Sequence, residues 1–215
     1  GTGPSTTLNQ TGELGRIVNW IDLEWRKLQT RHTNWRWMRK SFTLATVASD
    51  DTYDYGSCVD VDTAVAITRF ARWCIPEQDV KCYLASAGVG TEGYLTPWPW
   101  DMFKGAFKIG TQNDGTPSAI SVDPSNNLVL GAKPNDIYTV SGDYMRGLQV
   151  LSADATEPEM PERYHDLIWL GALRRYAAWE EAPGVWQEAK SQHSELMRAL
   201  EQDQLPPPRF APPLA

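Results

Sequence analysis

The stretch MPERYHDLIWLGALRRYAAWEE, Met160 to Glu181, constrains the fold of this chain more than any other. Pro161 stands where a first helical turn favours it, and Pro183 with Gly184 breaks the run. On the helix this predicts, Trp169, Leu170, Leu173, Tyr176 and Ala177 fall on one side. The other side is not polar, because Tyr164, Leu167 and Ile168 lie there. A helix apolar almost all round has to be buried on more than one side. The chain therefore needs several partners for this one element.

Two further helices are predicted around it. From Thr11 to about His32, Leu14, Ile17, Val18, Ile21, Trp25 and Leu28 recur at steps of three and four. Thr11 is the expected N-cap, and Glu13 sits in the first turn where the helix dipole favours a carboxylate. Trp20 and Leu23 fall on the opposite side, beside Arg16 and Lys27, which offers a face to a second partner. Val185 to about Gln202 is the other helix, with a narrower stripe of Val185, Ala189, Leu196 and Leu200.

Between the helices the pattern changes after Lys40. SFTLATV, CVDVDTAVAITRF and DVKCYL alternate or are β-branched, and read as strands. SAISV, NLVL and DIYTV follow around the turn signals DPSN and KPND, and YMRGLQVL reads as one more strand. PWDMFKGAF interrupts them as a short helix begun by Pro99, with Trp100, Phe103 and Phe107 at helical spacing. The fold class expected is α+β: N- and C-terminal helices form a helical bundle, with an inserted antiparallel β-rich domain and an extended C-terminal tail. The boundaries fall at 1–40, 41–152, 153–204 and 205–215. LPPPRFAPPLA, the last of these, favours a polyproline-like conformation with no core of its own.

Composition removes several classes of function. A net charge of −7 argues against a sequence-independent DNA binder, whose affinity comes from neutralising phosphates. No apolar run approaches the roughly 20 residues that span a bilayer, and GTGPSTTLNQ has neither the basic nor the apolar region of a signal peptide, so no membrane partner and a cytoplasmic origin are expected. Cys58, Cys74 and Cys82 are odd in number without CxxC spacing, which indicates buried thiols rather than disulfides or zinc. Ten tryptophans are the unusual feature, suited to cores and to protein interfaces.

Candidate sites dissolve one by one. AGVGTEGYL carries Gly88, Gly90 and Gly93 at the spacing of a dinucleotide fingerprint, but Pro97 and Pro99 prevent the long helix a phosphate site requires. A flexible glycine loop is expected instead, with no cofactor. RHTNWRWMRK mixes cations and aromatics like a single-stranded nucleic-acid platform. The competing reading is the exit from the first helix, with Trp35 and Trp37 packed under the β domain. His32, His165 and His193 have no partner at metal-ligand spacing, and neither GxSxG nor HExxH occurs. Asp60 and Asp62 alternate along a strand, as paired carboxylates or, the reading preferred, as a solvated face. No enzymatic activity is expected. The alternative to a structural role is a β-domain ligand-binding module with an aromatic face at Tyr94, Trp98 and Trp100.

LGRIVNWIDLEWRKLQTRHTNWRWMRKSFTL resembles the N-terminal segment of bacteriophage head-to-tail adaptor proteins, where a helix leads through a Trp-containing turn into the first strand. EMPERYHDLIWLGALRRYAAWEEAPG is similar to their other recognisable segment, and the two segments together resemble the tail tubular protein A adaptors of short-tailed phages. The resemblance implies a structural virion protein at the neck, assembled in the host cytoplasm into a homo-oligomeric, twelve-fold ring. Such a ring binds the portal protein on one side and a tail nozzle or tail-tube component on the other, with genomic DNA passing non-specifically through its channel. On that reading Trp20, Leu23, Tyr164, Leu167 and Ile168 are expected at the subunit interface. Leu205, Arg209, Phe210 and Leu214 are expected to dock on the portal or a neighbouring subunit.

Overall fold

The computed structural model describes residues 6–75 and 79–206. It divides into two compact units: the residues up to Met38 together with those from Leu148 onward, and Arg39–Gly147. Each has its own set of packed elements.

The first unit holds three long helices, α1 (Gly12–Arg31), α3 (Asp166–Trp179) and α4 (Pro183–Gln204). Pro183 opens α4 at its first turn, where a missing N–H leaves no bond unmade. Thr11 occupies the N-cap position of α1 but makes no side-chain cap bond, contrary to expectation. α3 packs against both α1 and α4. Most of its apolar residues are thereby absorbed: Leu167, Ile168, Leu170, Ala172 and Ala177, with Tyr164 just before the helix, are all buried within the chain. The α1 face turned inward is Glu24, Trp25, Leu28 and Gln29, so that Ile21 is only half-buried and Leu14 is exposed.

Buried polar groups hold this unit in register. Glu24 accepts from Arg175 Nε at 2.6 Å and from Lys27 Nζ at 3.2 Å, and it lies against Gly171, where a Cβ would come within 2.8 Å of its carboxylate. Only glycine at 171 leaves that space. Gln29 exchanges two hydrogen bonds with the Gln149 backbone, donating to its carbonyl at 3.0 Å and accepting from its N–H at 2.6 Å. A long polar side chain inside a core is thus satisfied by chain that lies 120 residues later in sequence. At the far end of α1, Glu201 of α4 accepts from Arg31 at 2.7 Å and meets His32 at 3.0 Å.

The second unit is a large curled sheet. In chain order its strands are β1 (Arg39–Ala45), β2 (Thr52–Tyr53), β3 (Val59–Asp60), β4 (Phe70–Trp73), β5 (Val80–Leu84), β6 (Gly93–Pro97), β7 (Asp114–Gly115), β8 (Ala119–Val122), β9 (Leu128–Gly131), β10 (Lys133–Pro134) and β11 (Tyr138–Arg146). Among the described residues nine of them form one sheet in the order β2-β9-β8-β6-β5-β11-β1-β3, with β4 also paired to β11, while β7 and β10 pair separately. β6 makes the corner: Gly93 to Leu95 pair antiparallel with β5, and Thr96 and Pro97 pair parallel with β8. A strand that changes partner in this way lets one sheet close over one core. Phe42, Leu44, Trp73, Val140 and Tyr144 on one side of the corner share that core with Ile120, Leu128 and Leu130 on the other.

Three expectations for this unit are corrected. The region is not purely antiparallel, since β6–β8 and β7–β10 are parallel pairs. The glycine stretch is not a free loop; a 3-10 turn at Val89–Thr91 leads into β6, which the sequence hides because glycine and proline flank its apolar residues. YMRGLQVL is no separate strand, because β11 runs continuously from Tyr138 to Arg146. The short helix expected after Pro99 is present as α2 (Trp100–Phe107), which seats Phe103 against Ala119 and Val129.

Candidate functional site

Potential reactive groups are either silenced or paired. Burial pushes the Cys58 thiol up to about 12 and that of Cys82 to about 11, so both remain protonated and weakly nucleophilic near neutral pH. His165 Nε2 lies 2.9 Å from the Met160 carbonyl, and burial holds His193 below its ordinary value. Among the described residues no three His, Cys, Asp or Glu side chains converge as a metal site would require. Asp60 and Asp62 do not form a solvated face. β3 ends at Asp60, whose side chain turns inward at 2% exposure, while Asp62 is exposed and pairs with Lys40 at 2.6 Å.

The inward turn of Asp60 builds a local network that alternation in the sequence conceals. Its Oδ1 accepts from the backbone N–H groups of Asp62 at 2.9 Å and Thr63 at 3.1 Å, and its Oδ2 accepts from the Tyr144 hydroxyl at 2.6 Å, with Arg146 at 3.8 Å. Burial alone would raise its pKa, but these donors and the guanidinium together bring it below the usual carboxylate value. The same burial and the Asp60 charge push the Tyr144 phenol up to about 12. The cluster has the geometry of a turn anchor, and its residues line none of the three clefts at Trp98, Trp186 and Tyr94.

What the surface does offer is apolar area. Leu23 is 43% exposed on the side of α1 away from Trp25 and Leu28, and Trp20 is half-buried at the edge of the inward face, one turn before Glu24. Trp169 and Trp179 of α3 are 47% and 59% exposed, with the Arg16 guanidinium 4.1 Å from the Trp179 ring centre. Tyr164, just before α3, and Leu167 and Ile168 within it are buried inside the subunit. Leu205 is half-buried at the end of α4; Arg209, Phe210 and Leu214 lie outside the described residues.

Nor does the β unit bring its aromatics to one face. Trp98 and Trp100 line one cleft with Pro97, Pro99 and Val122, whereas Tyr94 lines another with Thr91, Thr116 and Tyr138. The single aromatic ligand face is therefore corrected to two separate clefts. In the Arg31–Lys40 stretch, Trp35 is fully buried, donates to the Leu28 carbonyl of α1 at 2.9 Å, and stacks on Trp37 with ring centres 4.3 Å apart. Rings engaged in that way form no open platform for bases.

The apolar side chains exposed among the described residues offer area for contact with other proteins. The family model described as SU10 adaptor protein matches residues 5–213, nearly the whole chain. The chain belongs to the SU10 adaptor family. It is a structural component of phage, a head-to-tail adaptor, and its place is the neck of the virion. Membership in a structural family implies a non-enzymatic role for the adaptor, and contact with portal and tail components. No curated protein matches the chain. No helix of the adaptor, among its described residues, is long and apolar enough to cross a membrane.

Proposed function

We propose that the chain is one subunit of a closed ring, twelve-fold by the family likeness, that seats on the portal and carries the tail. The genome passes through its centre. The observation that supports this reading is the double use of α1. Trp25 and Leu28 are buried inside the subunit, while Leu23, with Trp20 beside it, is left in solvent half a turn of the helix away. A second apolar face on a helix whose first is already satisfied belongs against another molecule.

Charge fits the same reading. At −7 the subunit is not built to grip phosphates, and an acidic lumen keeps DNA from adhering while it moves. Docking of Leu205, Arg209, Phe210 and Leu214 on the portal or a neighbour adds a further tether.

The test separates core from interface. Trp20→Ala with Leu23→Ala is expected to leave the melting of the monomer little changed and to weaken ring formation, measured by sedimentation. Leu28→Ala, fully inside the subunit, is expected to cost about 2–5 kcal/mol of stability. If the double variant melts like Leu28→Ala, or forms rings like the wild type, the assigned subunit interface is wrong.

A further inference from the structure

A cleft of about 330 Å³ opens on the β unit, walled by Trp98, Trp100, Pro97, Pro99, Ile75 and Val122. Its aromatic walls are fixed from behind. Trp98 meets Phe107 edge-on with ring centres 5.9 Å apart, Trp100 stacks over Phe103 at 6.0 Å, and Ser121 donates to the Trp98 carbonyl at 2.9 Å. Both indoles remain half-exposed, and among the described residues neither indole N–H is engaged in a hydrogen bond. The cleft thus presents two rigid rings whose N–H groups are unbonded, with Ile75, Pro97, Pro99 and Val122 as apolar walls and Ser121 as a polar one.

Such a surface selects its occupant. An ordinary peptide would bring backbone N–H groups that find no acceptor on apolar walls, and burying them costs free energy. A proline-rich segment brings few N–H groups, keeps its carbonyls free for indole donors, and is already extended, so that it loses little entropy on docking. This chain carries such a segment. Five of the eleven residues from Leu205 to Ala215 are proline, and the family match runs through residue 213. With three residues per polyproline turn, Pro207, Phe210 and Pro213 share one edge, and Leu205, Pro208, Ala211 and Leu214 the next. Arg209 falls on the third edge; Asp101, next to Trp100, is 93% exposed and pairs with Lys104 at 3.0 Å, so Arg209 would share that carboxylate with Lys104.

We propose that the Trp98–Trp100 cleft receives the proline-rich C-terminal segment of a second copy of this chain. Eleven residues of polyproline helix span about 34 Å, enough to leave one subunit and strap the next. The proposal rests on the ring reading above and assigns the tail of each subunit to its neighbour.

The experiment titrates the peptide LPPPRFAPPLA into a dilute, ¹⁵N-labelled full chain and follows the ten indole N–H signals. Trp98 and Trp100 are assigned from single Trp→Phe variants. Their two signals are expected to shift saturably, while that of Trp73, whose Nε1 is bonded to the Asn126 carbonyl at 2.8 Å, stays in place. A peptide with alanine at all five prolines is expected to bind at least tenfold more weakly. Without peptide, raising the protein concentration is expected to move the same two signals toward their bound positions, as filling by a second copy requires. Unmoved Trp98 and Trp100 signals, equal binding of the alanine peptide, or a cleft occupied independently of concentration would each overturn the proposal. Rings that form while the peptide fails to bind sink this inference and leave the adaptor ring standing; peptide binding without rings does the reverse.

Discussion

Asp60→Ala is expected to destabilise the protein by about 3–5 kcal/mol, the range measured when one partner of a buried charged network is removed. Its carboxylate satisfies two backbone N–H groups of the 60–63 turn and the Tyr144 hydroxyl, and it faces Arg146, so alanine removes the acceptor of three donors and the charge opposite the guanidinium. Asp60→Asn keeps an acceptor for the turn and loses the charge opposite Arg146, and is expected to cost less than half as much. Denaturant titration of the three proteins checks the order. The network also sets an acid limit. In the folded protein the pKa of Asp60 is lowered, as are those of Glu24, Asp51 and Glu201, all of which accept from cationic side chains. Stability from such groups is fully present above the unfolded carboxylate value, about 4, and is lost as pH falls through the lower folded values. Acid unfolding below about pH 4 is the expected result, with a shallower slope in Asp60→Asn.

Trp35→Ala is expected to cost about 3–5 kcal/mol in the helical unit. The ring is fully buried, stacked on Trp37 and met edge-on by His32 at 4.9 Å, and its Nε1 donates to the Leu28 carbonyl. Removing it opens a large cavity and leaves a buried carbonyl short of one donor. Trp35→Phe refills most of the volume without the donor and is expected to recover more than half of the loss. Near-equal melting of Trp35→Ala and wild type would show that the turn after α1 is not part of the core.

The helices were legible because their evidence is local. Three-and-four spacing marks α1, α3 and α4, and Pro183 marks the start of α4. Partner choice was not local. Nothing in the sequence says that Leu167 and Ile168 face the chain's own helices while Leu23 does not, because both sets have the same chemistry and only packing separates them. β6 is hidden for another reason: its strand formers Tyr94 and Thr96 lie between Gly93 and Pro97, residues depleted in strands, and sheet pairing outweighs those two. Asp60 was misread because two aspartates two apart look like a strand face. The turn that follows Asp60 breaks the strand and sends the pair in different directions. Trp98 and Tyr94 fall four residues apart in sequence, yet β6 delivers them to different clefts.

Assembly of this chain between portal and tail is tested most directly by electron microscopy of the purified chain mixed with the portal ring of its own phage. The prediction is a closed ring seated coaxially on the portal, with an axial channel that admits duplex DNA. Portal rings left bare, or single subunits scattered around the portal without closure, would contradict it.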